Sequence, residues 1–209
     1  MAEDIVKEIR KQRDSYLVSL SSGDSFRVAG PLLGQHGLRV GQTVDPERYQ
    51  ESLQQDAYPC ALEKAVKLLS QRDYSRHQIE DKLMKSGYDE HTVHKVADFL
   101  VKRRFLDDMR YAEALLKRKQ GKSGKNRIAM EMRAKGVDQE LASQTLAQFS
   151  QEDELESARA QAVRYLTPKA LEPREAYRRT IAFLARRGYP YELAKKAYAL
   201  ASGEAEDWE

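Results

Sequence analysis

Apolar and polar positions alternate with the spacing of amphipathic α-helices over most of this chain. Between residues 60 and 201, apolar side chains recur three and four positions apart, which predicts nine helices. The nine stripes are Leu62, Ala65, Val66 and Leu69; Ile79 and Leu83; Val93, Val96, Ala97 and Leu100; Ala112, Leu115 and Leu116; Ile128 and Met132; Leu141, Thr145, Leu146 and Phe149; Leu155, Ala158, Ala162 and Leu166; Tyr177, Ile181 and Leu184; and Leu193, Ala197 and Leu200.

A short motif recurs where one predicted helix ends and the next begins. It reads KSGYDEHTV, AKGVDQELA and RRGYPYELA, and its glycines are Gly87, Gly136 and Gly188, spaced by 49 and 52 residues. Glycine accepts the left-handed conformation that closes a helix, and the Asp or Pro two positions later starts the next one. The motif therefore predicts one three-helix unit used three times.

These units define the predicted domains, which are repeats at 59–106, 107–152 and 153–202, followed by an acidic tail at 203–209. A unit of about fifty residues has a thin core, so neighbouring units must stack to stabilise one another. We expect a mainly α protein whose three tandem three-helix repeats form an elongated, curved array.

The first 58 residues follow a different pattern. SYLVSL and SFRV alternate apolar and polar positions on either side of a Ser-Gly-Asp turn, which predicts a β-hairpin. Leu38, Val40 and Val44 are candidates for a further strand. From Pro46 to about Ala57 the pattern is helical, and Pro59 is expected to interrupt this helix before the first repeat. The prediction is a small β-containing module with a helical link.

Composition narrows the class of protein. No apolar run is long enough to cross a bilayer, and the segment MAEDIVKEIRKQRD lacks the apolar stretch of a signal peptide. We therefore expect a cytoplasmic protein with no membrane partner. The single cysteine, Cys60, excludes an internal disulfide and a cysteine-based zinc site.

Positive charge is concentrated in two blocks, although the net charge is only +3. Residues 102–135 contain twelve Lys or Arg against four Asp or Glu, and residues 159–201 contain ten against three. Residues 136–158 contain none against six. Solvated helical surfaces usually mix the two signs, so such blocks favour a polyanionic or acidic partner.

The candidate partner-binding residues come from these two blocks. Arg110, Lys117 and Arg118 lie one to two turns apart on one predicted helix, outside its apolar stripe. A surface that serves only solubility, phosphate binding and binding to a partner's carboxylates all fit this pattern. The full set is Arg110, Lys117, Arg118, Lys122, Lys125, Arg127, Arg133, Arg178, Arg179, Arg186 and Arg187.

The first block contains Gly121-Lys122-Ser123, which matches the end of a nucleotide-binding P-loop. A P-loop needs a preceding strand and a glycine five positions before Gly121, where this chain has Leu116 in a helical segment. The stretch is better interpreted as a turn between two helices.

Other residue types that support catalysis have simpler interpretations. Asp107 and Asp108 stand where a helix begins and fit an N-terminal cap better than a metal-binding pair. His77, His91 and His94 lack the converging arrangement of a zinc site and are expected in solvent. No Ser-His-Asp or Cys-His arrangement is indicated, so the sequence predicts no catalytic residues, no metal and no cofactor.

Two long stretches resemble a known family. FLDDMRYAEALLKRK at 105–119 and GKSGKNRIAMEMRAKGVDQELA at 121–142 closely resemble the RecX family of bacterial recombinase regulators. RDYSRHQIEDKLMKSGYDEHTVHKVADFLVKRRFLDD and YRRTIAFLARRGYPYELAKKA are similar to the family's first and third repeats. The resemblance covers about residues 60 to 201.

The resemblance implies a non-catalytic, monomeric protein that binds the RecA recombinase. Such proteins lodge in the groove of the RecA–single-stranded DNA filament and inhibit its growth, its ATP hydrolysis and strand exchange. The basic residues would then face RecA, the bound DNA, or both. The β-containing N-terminal extension departs from the family's short forms and resembles that of longer members.

Overall fold

All nine helices predicted from the apolar stripes are present in the computed structural model, which describes residues 3–167 and 171–203. These residues contain four strands, β1 (Asp4–Gln12), β2 (Ser15–Leu20), β3 (Ser25–Ala29) and β4 (Thr43–Val44). Their ten helices are α1 (Gly30–Gln35), α2 (Pro46–Leu69), α3 (Arg76–Lys85), α4 (Glu90–Lys102), α5 (Asp108–Lys119), α6 (Lys125–Ala134), α7 (Gln139–Ala147), α8 (Gln151–Leu166), α9 (Pro173–Arg186) and α10 (Tyr191–Ser202).

The chain divides after Asp107 into two compact units. The first unit holds the sheet and helices α1 to α4, and the second holds α5 to α10. The nine predicted helices follow one another as three groups of three, α2 to α4, α5 to α7 and α8 to α10, and the N-terminal module lies in the same unit as the first group. The boundaries given for the three repeats stay predictions. The curved shape of the array stays a prediction, and the predicted tail at 203–209 lies outside the described residues except for Gly203.

The N-terminal module is an antiparallel sheet of strand order β3-β2-β1-β4. The predicted hairpin is confirmed, because β2 pairs with β3 and places Val18 opposite Phe26. Strand β1 was not predicted. Its pattern gave little signal, since Val6 is its only buried side chain and the register shifts between Val6 and Glu8.

The prediction of a further strand near Leu38, Val40 and Val44 is confirmed only for Val44. Val44 lies in β4 and pairs with Asp4, whereas Leu38 is buried outside any strand and Val40 is exposed. The short helix α1 was not predicted either. This helix has six residues, begins at Gly30-Pro31 and buries Leu32.

Pro59 does not interrupt the helical link, contrary to the prediction. Helix α2 runs unbroken from Pro46 to Leu69, so the predicted boundary between residues 58 and 59 falls inside it. The proline is exposed, while Ala57 and Ala61 on either side are buried in the core of the first unit. Packing of these flanking turns offsets the cost of the hydrogen bond that proline cannot make.

Two residues assigned to apolar stripes face solvent instead. Val66 is 49% exposed and Leu200 is 57% exposed, whereas the neighbouring Ala65 and Ala197 are fully buried. On α2 and α10, the small side chains of Ala65 and Ala197 therefore face the core in place of Val66 and Leu200.

The recurring glycine turn is confirmed in all three repeats. Gly87, Gly136 and Gly188 have φ values of 91°, 74° and 85°, in the left-handed region. The next residue donates its backbone N–H to the carbonyl five residues earlier, at 3.3, 3.0 and 3.2 Å, which is the Schellman hydrogen bond. The side chains that follow these glycines are buried against the turn: Tyr88, Val137 and Tyr189.

The residue after each buried side chain starts the next helix, as predicted. Asp89 accepts the backbone N–H of Thr92 at 2.9 Å, and Asp138 accepts that of Glu140 at 2.8 Å. Pro190 begins α10 without a side-chain cap and supplies the φ of −59° that suits this position.

Candidate partner-binding surface

The predicted basic residues lie on three helices of the second unit, α5, α6 and α9, and in the turns that follow α5 and α9. Arg110, Lys117 and Arg118 are exposed on α5, Lys122 is exposed in the turn before α6, and Arg133 is exposed on α6. The other members of the set lie on α6, in the middle of α9, and at or directly after the end of α9: Lys125, Arg127, Arg178, Arg179, Arg186 and Arg187.

Two hydrogen bonds to backbone carbonyls bring the two basic blocks together. The N–H of Gly124, at the start of α6, donates to the carbonyl of Arg187 at 2.9 Å. The Arg127 guanidinium donates from Nη1 to the carbonyl of Arg186 at 2.8 Å. Residues about sixty positions apart therefore form one surface, which we call the basic junction: Lys125, Arg127, Arg186 and Arg187.

The basic junction depends on a close approach of two glycines. A Cβ atom placed on Gly124 would lie 2.5 Å from the carbonyl oxygen of Gly188 and 2.8 Å from Cδ1 of Tyr189. A Cβ atom on Gly188 would lie 2.5 Å from Cβ of Arg127. Only residues without a side chain allow the turn of the second repeat and the turn of the third to pack this tightly.

A stripe of buried polar side chains on α8 holds the turn before α6 in place. Glu154, 4% exposed, accepts the backbone N–H of Lys125 at 2.7 Å, so its carboxylate caps α6 from another repeat. Gln161 donates from Nε2 to the carbonyl of Gly121 at 2.8 Å. Between them, the hydroxyl of Ser157 hydrogen-bonds to that of Tyr189 at 2.7 Å.

This stripe was not found from the sequence. Glu154, Ser157 and Gln161 follow the three- and four-residue spacing of one helix face, but a solvated face has the same pattern. Their hydrogen-bond partners lie in the α5–α6 turn, at the start of α6 and in the α9–α10 turn, 29 to 40 residues away in the chain.

Some of the candidate cations already interact with other side chains of this protein, and others make no such contact among the described residues. Arg179 pairs with Glu175 at 2.6 Å, and Arg187 stacks 3.8 Å above the ring of Phe183. Within residues 3–167 and 171–203, six candidate side chains make no ion pair, side-chain hydrogen bond or ring contact: Lys117, Arg118, Lys122, Arg133, Arg178 and Arg186.

The segment Gly121-Lys122-Ser123 is an inter-helix turn, as predicted. It connects α5 to α6 without a strand, and Gly121 has a φ of 79°. Ser123 is 7% exposed, so its hydroxyl is withdrawn from solvent, whereas Lys122 is exposed.

The acidic and imidazole side chains considered for metal binding are placed separately. Asp108 is the first residue of α5, where its charge interacts favourably with the helix dipole. His77, His91 and His94 are exposed, as predicted. Among the described residues, no three His, Cys, Asp or Glu side chains are grouped so as to hold a metal ion.

A Ser-His-Asp arrangement that the sequence did not indicate occurs in the first unit. His36 Nδ1 lies 3.0 Å from Ser52 Oγ, and Nε2 lies 3.0 Å from Asp56 Oδ2 but without hydrogen-bond alignment. Ser52 is in the middle of α2, where helical hydrogen bonds use the backbone N–H groups that an oxyanion hole would need. The arrangement joins the end of α1 to α2 and is not built as a catalytic triad.

Within the described parts of the chain, no helix combines the length and apolar character needed to cross a membrane.

The fold and the repeated turns define an α-helical repeat protein with three three-helix domains. Profiles of the first, second and third three-helix domains of RecX match residues 61–100, 107–146 and 152–198, which together make up more than half of the chain. The chain therefore belongs to the RecX family of regulatory proteins.

Curated relatives agree with this assignment. A regulatory protein RecX from Clostridium botulinum (strain Eklund 17B / Type B) is 29% identical over 199 residues, covering 93% of this chain and 94% of its own. One from Listeria monocytogenes serotype 4a (strain HCC23) is 27% identical over 198 residues, covering 93% of this chain and 74% of its own.

Two crystal structures share the fold. That of a regulatory protein RecX is 22% identical, with a TM-score of 0.62 over 96% of this chain and all of that chain. That of RecX from Lactobacillus salivarius is 19% identical, with a TM-score of 0.61 over 70% of this chain and 97% of that chain.

Proposed function

We propose that this protein is a non-catalytic regulator that binds the RecA–single-stranded DNA filament and inhibits filament growth, ATP hydrolysis and strand exchange. It acts as a cytoplasmic monomer, without a cofactor or a membrane partner. The proposal extends what the RecX resemblance implies to the particular residues of this chain.

The observation that carries the proposal is the basic junction and the unpaired cations around it. Two blocks of positive charge, distant in sequence, share one surface because Gly124 and Gly188 pack backbone against backbone. Cations without an internal partner favour binding to carboxylates or phosphates, since no existing ion pair has to be broken before they form charge-assisted hydrogen bonds. A nucleoprotein filament presents both kinds of anion.

Inhibition of RecA by purified protein tests this proposal. Addition of this protein to RecA assembled on single-stranded DNA should lower ATP hydrolysis and strand exchange at ratios up to one per RecA. If both activities are unchanged over that range, the proposal is wrong.

A charge-reversal variant then tests the surface. Lys117→Glu, Arg118→Glu and Lys122→Glu change three exposed side chains that make no internal ion pair among the described residues, so inhibition should weaken while the fold is retained. Arg127 is left unchanged because it holds the carbonyl of Arg186.

A matched control reverses three exposed cations of the first unit, with Arg39→Glu, Arg48→Glu and Lys67→Glu. The control has the same net charge, so it separates a loss of surface contacts from a general change in charge. Equal inhibition by the two triple variants, with unchanged circular dichroism, would place the contact elsewhere.

A second candidate function is direct DNA binding independent of RecA. The unpaired side chains of Lys117, Arg118 and Lys122 favour it, because lysine and arginine bind phosphates without any partner protein. It predicts tight binding of this protein alone to single-stranded DNA, with affinity falling steeply as salt rises. Weak binding at physiological salt would leave the filament as the target.

A further inference from the structure

The outer face of α6 combines an exposed apolar side chain with arginines. Met130 is 72% exposed, the highest value for a large apolar side chain among the described residues. It lies on the side of α6 opposite the fully buried Ile128 and Met132, at the centre of the solvent-facing surface. Arg133 lies beside it at the three-residue spacing of the helix, as does Arg127 on the preceding turn.

The structure describes every residue of α6, and none of the exposed residues on this face is Asp or Glu. Its exposed residues are Asn126, Arg127, Met130, Arg133 and Ala134. The acidic residue of α6, Glu131, is half-buried and pairs with Lys119 of α5 at 2.8 Å. The arginines around Met130 are therefore not neutralised from within their own helix.

One of the two arginines is already fixed in position. Arg127 donates to the carbonyl of Arg186, so its guanidinium remains beside the end of α9, whereas Arg133 makes no such contact in the described chain. The face consequently presents an apolar centre between Arg127, which is held by a backbone carbonyl, and Arg133, which has no such contact in the described chain.

This composition matches the centre of a protein–protein contact better than a phosphate-binding surface. Single exposed apolar residues are ordinary and need no explanation by themselves. Methionine and arginine together, however, are enriched at protein interfaces, where an apolar side chain enters a pocket and charges pair around it. A phosphate backbone has no apolar pocket for Met130 to enter.

We infer that the outer face of α6 binds a protein, with Met130 entering an apolar depression that the partner borders with carboxylates. The inference rests on the proposed function and assigns this face to RecA protomers of the filament. The lysines of α5 and of the α5–α6 turn do not surround an exposed apolar side chain. In this assignment they contact the DNA of the filament.

Two binding measurements on the same variants test the assignment. Wild type, Met130→Ala and Met130→Glu are measured against RecA filaments assembled on a single-stranded oligonucleotide with a slowly hydrolysed ATP analogue, and against the bare oligonucleotide. Met84→Ala is the matched control, because Met84 is a 41% exposed methionine of α3 in the other unit.

Met130→Ala should weaken filament binding about tenfold and Met130→Glu still more, because a negative charge would face the partner's carboxylates. Binding to the bare oligonucleotide should change less than about twofold for Met130→Ala, and Met84→Ala should bind both targets like wild type. An exposed position should leave the melting temperature unaltered, which circular dichroism checks.

Two results would overturn the inference, and a third, distinguishable from them, would reject the proposed function. Filament binding by Met130→Ala equal to that of wild type would show that the face is not used. An equal loss on filament and bare DNA would make it a nucleic-acid contact. Failure of the wild type to bind filaments would instead reject the proposed function on which the inference rests.

Discussion

Replacement of Gly124 by alanine tests how the basic junction is built. Gly124 has φ −76° and ψ 167°, a conformation that alanine adopts without strain, so any effect must come from the added methyl group. That methyl group would lie 2.5 Å from the carbonyl oxygen of Gly188 and 2.7 Å from its carbonyl carbon. Both are backbone atoms, so a side-chain rotation cannot relieve the overlap.

The cost follows from the hydrogen bonds that a separation of the two turns would break. The bond from the Gly124 N–H to Arg187 is neutral and contributes about 1 kcal/mol, whereas those of Lys125 to Glu154 and of Arg127 to Arg186 involve charged groups and contribute about 1.5–3 kcal/mol each. Partial relaxation preserves some of them, so we expect Gly124→Ala to destabilise the second unit by about 3 kcal/mol.

Calorimetric melting of the whole protein measures the effect. For a unit of this size, about 3 kcal/mol corresponds to a fall of about 10–20 °C in the melting temperature. Gly34→Ala is the control, because a Cβ atom there has no neighbour within 4 Å and should leave stability unchanged or slightly higher. A melting temperature of Gly124→Ala within about 2 °C of wild type would refute the close approach of the two turns.

Three further perturbations have defined outcomes. Leu116→Asp should destabilise the second repeat by several kcal/mol and unfold it, because the substitution buries an unpaired charge at a 5% exposed position. The helical circular dichroism signal should fall accordingly. Glu154→Ala should cost about 1–3 kcal/mol in urea unfolding by leaving the Lys125 N–H without its acceptor, while Glu154→Gln keeps an acceptor and should cost less. Burial, with smaller contributions from Cys60 and Glu63, raises the pKa of Tyr88 to about 12, above its unfolded value of about 10, so stability should be full below pH 10 and fall between about pH 10 and 12. Tyr88→Phe should reduce that fall between urea melts at pH 9 and 11 without abolishing it, because burial also raises the pKa of Tyr49 in the same unit. It should cause no loss at pH 7, because the buried Tyr88 hydroxyl has no hydrogen-bond partner in the described residues.

The repeats were predictable because their determinants are local. Amphipathic stripes fix which face of each helix is buried, and Gly87, Gly136 and Gly188 occupy the left-handed position that favours glycine. Asp89 and Asp138 cap the helices that follow within three residues of themselves. Each of these features can be predicted from the sequence without knowing what packs against the repeat.

The basic junction was not predictable because its contacts are distant in sequence. Glu154 bonds to a residue 29 positions away, and Arg127 to one 59 positions away. Gly124 reads as an ordinary turn glycine until its approach to Gly188 is known. The same reason explains Pro59, since the packing of α2 on distant elements decides that the helix continues through it.

A titration of RecA's DNA-dependent ATPase is the sharpest test of the proposal that this protein acts on the RecA filament. With RecA on single-stranded DNA at physiological salt, increasing amounts of this protein should lower the hydrolysis rate progressively. The triple variant Lys117→Glu, Arg118→Glu and Lys122→Glu should require a higher concentration for the same effect. A hydrolysis rate that stays constant up to one molecule per RecA would show that the filament is not the target of this protein.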